Sequence, residues 1–232
     1  MMHLSIKSTE KINHNSQLKT SAIFYNVNIN DLPGSLTNWS WAESQPWFGG
    51  GSGTISNPYI IEGHTFDALG TGSSFSIENS NKYFIIRSCL LNKSGASLTD
   101  AGLYLSNVTN AIITNNDFIN NHNGIYFEYS YNNEFNSNII VNNTYVGIWG
   151  QYSNNITDIY ENFIENSNWG IAIDDGNNHV IRNNTIINSN SNDGILLYGF
   201  GSDCVIDYNY IETSNVDGIR LESFSNCVIY NK

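Results

Sequence analysis

The sequence predicts an all-β solenoid in which short parallel strands stack coil upon coil, with 22–24 residues to a coil. Three observations predict it. Gly102, Gly124, Gly147, Gly170, Gly194 and Gly218 recur at intervals of 22, 23, 23, 24 and 24 residues. Each opens a similar stretch: GLYLSN, GIYFEY, GIWGQY, GIAIDD, GILLYG and GIRLES. Asparagine supplies 39 of the 232 residues, and it disfavours helix interiors while tolerating turns and left-handed backbone, so the chain must turn often.

Residues 1–20 are polar and unpatterned and are expected to be disordered. Residues 21–57 lack the repeat but carry Trp39, Trp41 and Trp47, which suits a cap over the open end of the stack. GGGSGT (49–54) has no lysine of a phosphate loop and reads as a turn before the first coil. Residues 58–232 form the β-helix, with SFSIENSNKYFIIRSCLL in the first coils and KSGASLTDA as a loop that lengthens its unit.

Within a unit apolar and polar residues alternate with period 2, rich in β-branched and aromatic types, as strands require. A leucine-rich repeat would need an L-x-x-L-x-L-x-x-N frame and a helical stripe, and neither is present. One residue after each glycine stand Leu103, Ile125, Ile148, Ile171, Ile195 and Ile219. Three after stand Leu105, Phe127, Gly150, Ile173, Leu197 and Leu221, and both columns are expected to face inward. Asn116, Asn138, Asn162, Asn184 and Asn209 share one later position, where stacked amides can bond along the axis. Cys89 holds the same position one coil earlier, while Cys204 and Cys227 are equivalent to each other; these read as small buried hydrophobes. The last unit stops at Lys232, part-way through a coil, so a truncated final coil with an exposed edge and end-to-end self-association is expected.

Composition narrows the partners. Net charge is −12 with only nine Lys+Arg, which cannot supply the basic stripe of a nucleic-acid binder. No apolar run approaches the ~20 residues of a membrane span. The opening MMHLSIKSTEKINHNSQLKT has no apolar core of a secretory signal. Sequons at Asn38, Asn92, Asn107, Asn142, Asn155 and Asn183 become glycosylation acceptors if the chain is exported.

The later half of each unit reads ITNNDFI, FNSNIIV, IYENFIE, IRNNTII and IDYNYIE. This layout resembles the right-handed parallel β-helix superfamily with the pectin-lyase-like fold, and its NN-T-I-x-N phrasing is most similar to the NosD-like, carbohydrate-binding and sugar-hydrolase branch. The resemblance covers residues 58–232. It implies a single-stranded right-handed β-helix whose first sheet after each glycine carries any substrate groove. Lyases, hydrolases, epimerases, adhesins and accessory proteins all use that fold, so function must be argued from the site. A NosD-like accessory role would bring copper, yet the repeats hold no methionine and only scattered histidines, such as His122 and His179; no metal or other cofactor is expected.

Residues two and four after each glycine should face outward. The first column reads Tyr104, Tyr126, Trp149, Ala172, Leu196, Arg220, and the second Ser106, Glu128, Gln151, Asp174, Tyr198, Glu222, with Tyr129, Tyr152 and Asp175 just beyond. Exposed aromatics flanked by carboxylates and amides suit sugar rings, so Tyr104, Tyr126, Trp149, Glu128, Tyr129, Gln151, Tyr152 and Asp174 are the expected ligand-binding residues. The candidates for catalysis are Glu128, Asp174, Asp175 and Arg220. IDDG resembles the paired aspartates of polygalacturonase-like hydrolases, but the accompanying NTD, GHG and RIK segments are missing, and His179 lies in the next strand. The expected function is a carbohydrate-binding module of a surface or envelope protein. The alternatives are a lyase or hydrolase acting on acidic polysaccharide, or a structural, adhesive or NosD-like accessory protein.

Overall fold

The computed structural model describes residues 22–153, 157–189 and 191–230. The segment expected to be disordered, Asn155 and the chain end at Lys232 lie outside these. The chain forms a right-handed parallel β-helix of about 7 coils. Among the described residues three parallel sheets each stack eight strands in order, the second with Phe224–Ser225 as a ninth off that order, and each complete coil contributes one strand to each sheet. A coil therefore runs from a strand of the second sheet, such as Val146–Gln151, to one of the third, Thr157–Tyr160, and then to one of the first, Phe163–Ser167.

The predicted columns are in register. Leu103, Ile125, Ile148, Ile171 and Ile195 pair in succession and are fully buried, as are Leu105, Phe127, Ile173 and Leu197. At Gly150 the missing side chain is replaced by its neighbours: an added Cβ would lie 2.3 Å from Phe127 Cζ and 3.0 Å from Ile173 Cδ1. Phe118, Ile140, Ile164 and Ile186 fill the core from the first sheet, and Ile86, Ile113, Phe135, Ile159 and Ile181 fill it from the third.

The asparagine ladder closes its own hydrogen bonds. Asn162 Oδ1 accepts from Asn138 N at 3.1 Å and from Asn138 Nδ2 at 3.0 Å. Its Nδ2 donates to Asn184 Oδ1 at 3.0 Å and to Phe135 O at 2.9 Å. All four bonding positions of the amide are thus filled, which a buried amide needs to avoid a desolvation penalty. The same pattern runs from Asn116 to Asn209, and Cys89 N donates to Asn116 Oδ1 at 3.0 Å, as its ladder position implies. A second, shorter ladder was not read from the sequence: Ser94 N donates to Asn121 Oδ1, and Asn121 N to Asn143 Oδ1, each at 3.0 Å.

Asparagine has a second task. Left-handed backbone turns the chain between sheets, and Asn107, Asn115, Asn120, Asn142, Asn166, Asn183 and Asn188 all have φ between 51° and 59°.

The recurrent glycine is explained by coil spacing rather than by backbone angle. A Cβ on Gly147 would meet Gly170 O at 2.5 Å and Ile164 Cγ2 at 2.6 Å, whereas one on Gly218 meets nothing within 4 Å. Gly147→Ala is expected to cost about 1–3 kcal/mol, roughly 2–12 °C in Tm for a domain of this size. Gly218→Ala should melt with the wild type. Thermal melts of the two variants compare them, and equal transitions would refute the packing account.

The helix begins earlier than the repeat suggested. Ile23–Tyr25 and Val27–Asn30, inside the segment expected to be all cap, pair in parallel with Thr65–Asp67 and with the strand Phe75–Ser80. The connection that follows holds a short helix, Trp39–Ala42, capped by Asn38. Trp39 and Trp47 are buried there. Trp39 stacks on Tyr59 at 4.5 Å and donates from Nε1 to Ser80 Oγ at 2.7 Å, while Trp47 packs edge-on against Phe75 at 5.5 Å. Among the described residues no helix is long and apolar enough to cross a membrane.

Candidate functional site

The outer face of the second sheet gathers the aromatic and acidic residues in three rows. The middle row is Tyr104, Tyr126 and Trp149, on paired strands. Tyr104 stacks on Tyr126 at 5.5 Å with 6° between planes, and Tyr126 meets Trp149 at 4.9 Å. These residues point outward as predicted, yet they are not an exposed platform. Tyr126 is 1% exposed and Trp149 5%. Rings on neighbouring coils cover one another's faces, and Tyr145, Trp169 and Tyr198 pack against the same cluster from its flanks. The correction follows from size: strands stand about 4.8 Å apart, so wide rings in one column leave little gap for water.

Tyr145 and Trp169 escape the sequence pattern because they precede the glycines that open each unit. Tyr145 packs edge-on against Trp149 at 5.6 Å and Trp169 at 5.2 Å, and stacks on His122 at 5.0 Å with 1° between planes. Aromatic side chains just before Gly124, Gly147 and Gly170 were the available signal.

The acidic row is one bonded network. Glu128 Oε1 accepts from Tyr104 Oη at 2.5 Å and Ser106 Oγ at 3.2 Å, and Oε2 accepts from Tyr126 Oη at 3.1 Å. Tyr126 Oη also lies 2.6 Å from Gln151 Oε1, and Gln151 Nε2 donates to Asp174 Oδ2 at 2.9 Å. Burial, aided by the Glu128 carboxylate, pushes the Tyr104 hydroxyl up to about 12 and drives Tyr126 up as well. Burial likewise takes Tyr198 to about 12. All three phenols therefore stay protonated and act as donors.

The third row is the Tyr129–Tyr152 pair, stacked at 5.2 Å with 20° between planes. These rings are open, at 55% and 43% exposure. Both residues are in left-handed backbone, with φ of 50° and 49°, at the turn where preceding coils place Asn79 and Asn107. Left-handed backbone is unusual for a bulky residue, although Leu69 and Tyr208 also adopt it at other turns, with φ of 54° and 50°. The turn is fixed beneath: Ser130 N donates to Ser153 Oγ at 3.1 Å, and Val108 N to Ser130 Oγ at 3.0 Å.

The four candidates for catalysis are not brought together. Gln151 stands between Glu128 and Asp174, which are two strands apart, hence ~9–10 Å by strand spacing. Asp175 accepts from Phe200 N at 2.5 Å and secures the bulge of the next coil. Arg220 lies two strands beyond Asp174 and pairs with Glu222. His179 is fully buried, and burial lowers its pKa to about 4, so it is no shuttle for the aspartates. Among the described residues no group of three or more His, Cys, Asp or Glu could hold a metal ion.

The family described as "Right handed beta helix region" matches residues 17–164 and 101–232. No curated protein sequence matches the chain. Among solved structures, a mutant of the periplasmic alginate epimerase AlgG is similar with a TM-score of 0.55 and 16% identity, over 74% of this chain and 45% of that one. DFA-IIIase from Arthrobacter chlorophenolicus A6 is similar with a TM-score of 0.53 and 12% identity, over 74% of this chain and 52% of that one. The chain matches about half the length of these structures, and at such identities the likeness is one of fold.

Proposed function

The chain belongs to the right-handed β-helix family, and from that premise we propose that it is a carbohydrate-binding module of a surface or envelope protein. The outer face of the second sheet is the saccharide site. The carrying observation is the exposed Tyr129–Tyr152 stack, held in left-handed backbone on a serine-braced turn. Asparagine fills that turn in other coils at lower conformational cost, so the fold alone does not call for tyrosine. Two rings in line along the axis suit successive sugar units, whose C–H faces pack on aromatic faces. Glu128, Gln151 and Asp174, one position back on the strands, offer acceptors to sugar hydroxyls.

Binding without turnover is supported over hydrolysis or elimination. The two carboxylates, ~9–10 Å apart by strand spacing, are too far apart for a retaining pair at ~5–5.5 Å and reach only the upper edge of the ~6.5–9.5 Å of an inverting pair, with Gln151 between them. A structural spacer leaves the tyrosine pair unexplained. The epimerase acts on alginate by its name, which supports a polysaccharide partner for this fold in general.

Tyr129→Ala/Tyr152→Ala should weaken glycan affinity about fivefold or more, since each ring contact contributes about 0.5–1.5 kcal/mol. The melting temperature should move little. Affinity electrophoresis over a range of polysaccharides, with a reducing-end assay beside it, reads both points. Undiminished retardation of the double variant would remove the site from this face.

A further inference from the structure

We infer that the saccharide accepted by this face is uncharged, a hydroxyl-rich chain without carboxylate or sulfate groups; the inference rests on the reading that the face binds saccharide at all. The strands of the second sheet carry Glu78, Glu128, Asp174 and Asp175 against one cation among the described residues, Arg220. Arg220 is already engaged by Glu222 and lies 4.0 Å from Asp193. The other described cations stand elsewhere. Arg87 bridges Glu62 and Arg182 lies 5.1 Å over the Tyr160 ring, both on the third sheet, and Lys93 bridges Asp67 at the first. Lys82 sits in the turn that leads away from Phe75–Ser80.

A polyuronate carries a carboxylate on every sugar and is held by Arg forks or Lys point charges. On this face it would set those groups beside Glu128 and Asp174 with no counter-charge, on a chain of net charge −12. The carboxylates here are arranged for the opposite partner. Glu128 already accepts three hydroxyls, from Tyr104, Ser106 and Tyr126, and Asp174 accepts the Gln151 amide. Both are acceptors in an O–H and N–H network that a sugar hydroxyl can join, because an ionised carboxyl has about four acceptor sites. Aromatic faces and hydroxyl acceptors without cations recognise sugar by its C–H and O–H groups alone.

Isothermal titration of the chain against a β-glucan, a fructan, alginate and polygalacturonate, at low and at high salt, tests this. At least one uncharged polymer should bind with an affinity that salt leaves unmoved. Both polyuronates should bind at least about tenfold more weakly at low salt, where like-charge repulsion is least screened. A polyuronate that binds more tightly than every uncharged polymer overturns the inference. If Tyr129→Ala/Tyr152→Ala abolishes that binding, the saccharide site on this face survives with its charge preference reversed. Binding of no polymer overturns both readings.

Discussion

Tyr126→Ala/Trp149→Ala is expected to melt far below the wild type, although both side chains point away from the core. They are 1% and 5% exposed, and they join Ala101, Val146 and Ala172 in a second apolar cluster on the outside of the sheet. Truncating a buried Phe or Trp to alanine costs about 3–5 kcal/mol. Tyr126 also gives up its bonds to Glu128 and Gln151. Even at half the core value for each ring the pair costs about 4 kcal/mol, roughly 8–16 °C in Tm. Denaturant and thermal unfolding, run beside Tyr129→Ala/Tyr152→Ala, separate the two rows: the inner pair should lose stability and the rim pair should keep it. A wild-type transition for the inner pair would show that the cluster adds nothing to the fold.

Asn162→Ala is the second large effect. It leaves Asn138 N, Asn138 Nδ2, Phe135 O and Asn184 Oδ1 short of a partner in the buried wall of the helix. Each unsatisfied buried group costs about 1–3 kcal/mol, and partial relaxation or entering water brings the total to about 3–5 kcal/mol. Asp174→Ala removes a half-buried acid that accepts from Gln151 and Tyr198 on the outer face. That change should stay under about 1 kcal/mol, as surface substitutions usually do. Matching melting temperatures for the two variants would contradict the division into wall and outer face.

Much of this architecture was readable because repetition turns chemistry into columns. Ile125, Ile148 and Ile171 recur two residues before Phe127, Gly150 and Ile173, and that period of 2 gives their side of the sheet. Asn116 to Asn209 were legible for a related reason: a ladder works only if the same amide stands at the same place in every coil. Alternation gives direction but not solvent access. Tyr126 and Trp149 were therefore placed correctly and exposed wrongly, since the closure comes from stacking between coils, from Tyr198, and from Tyr145 and Trp169 at positions outside the repeated pattern. The first strands were hidden because IFYNVNIN holds two short strands with no glycine before them. Left-handed tyrosine at Tyr129 and Tyr152 runs against residue preference, so no propensity argument could place it; equivalence with Asn79 and Asn107 could have done so.

The coil-to-coil bonding has a consequence for how such a molecule can change over time. From the coil opened by Gly102 to the one opened by Gly194, each coil meets the next through the same carbonyls, the same ladder amide and the same close glycine contact, so a coil added there finds docking surfaces already made for it. A duplicated stretch of gene coding for one coil would lengthen the rod without disturbing the wall, the core or the cap. It would also add one more rung to each outer row. If the outer face binds a long polymer as proposed, its valence is then inherited as a copy number, and selection can adjust grip by counting coils before it alters a single side chain.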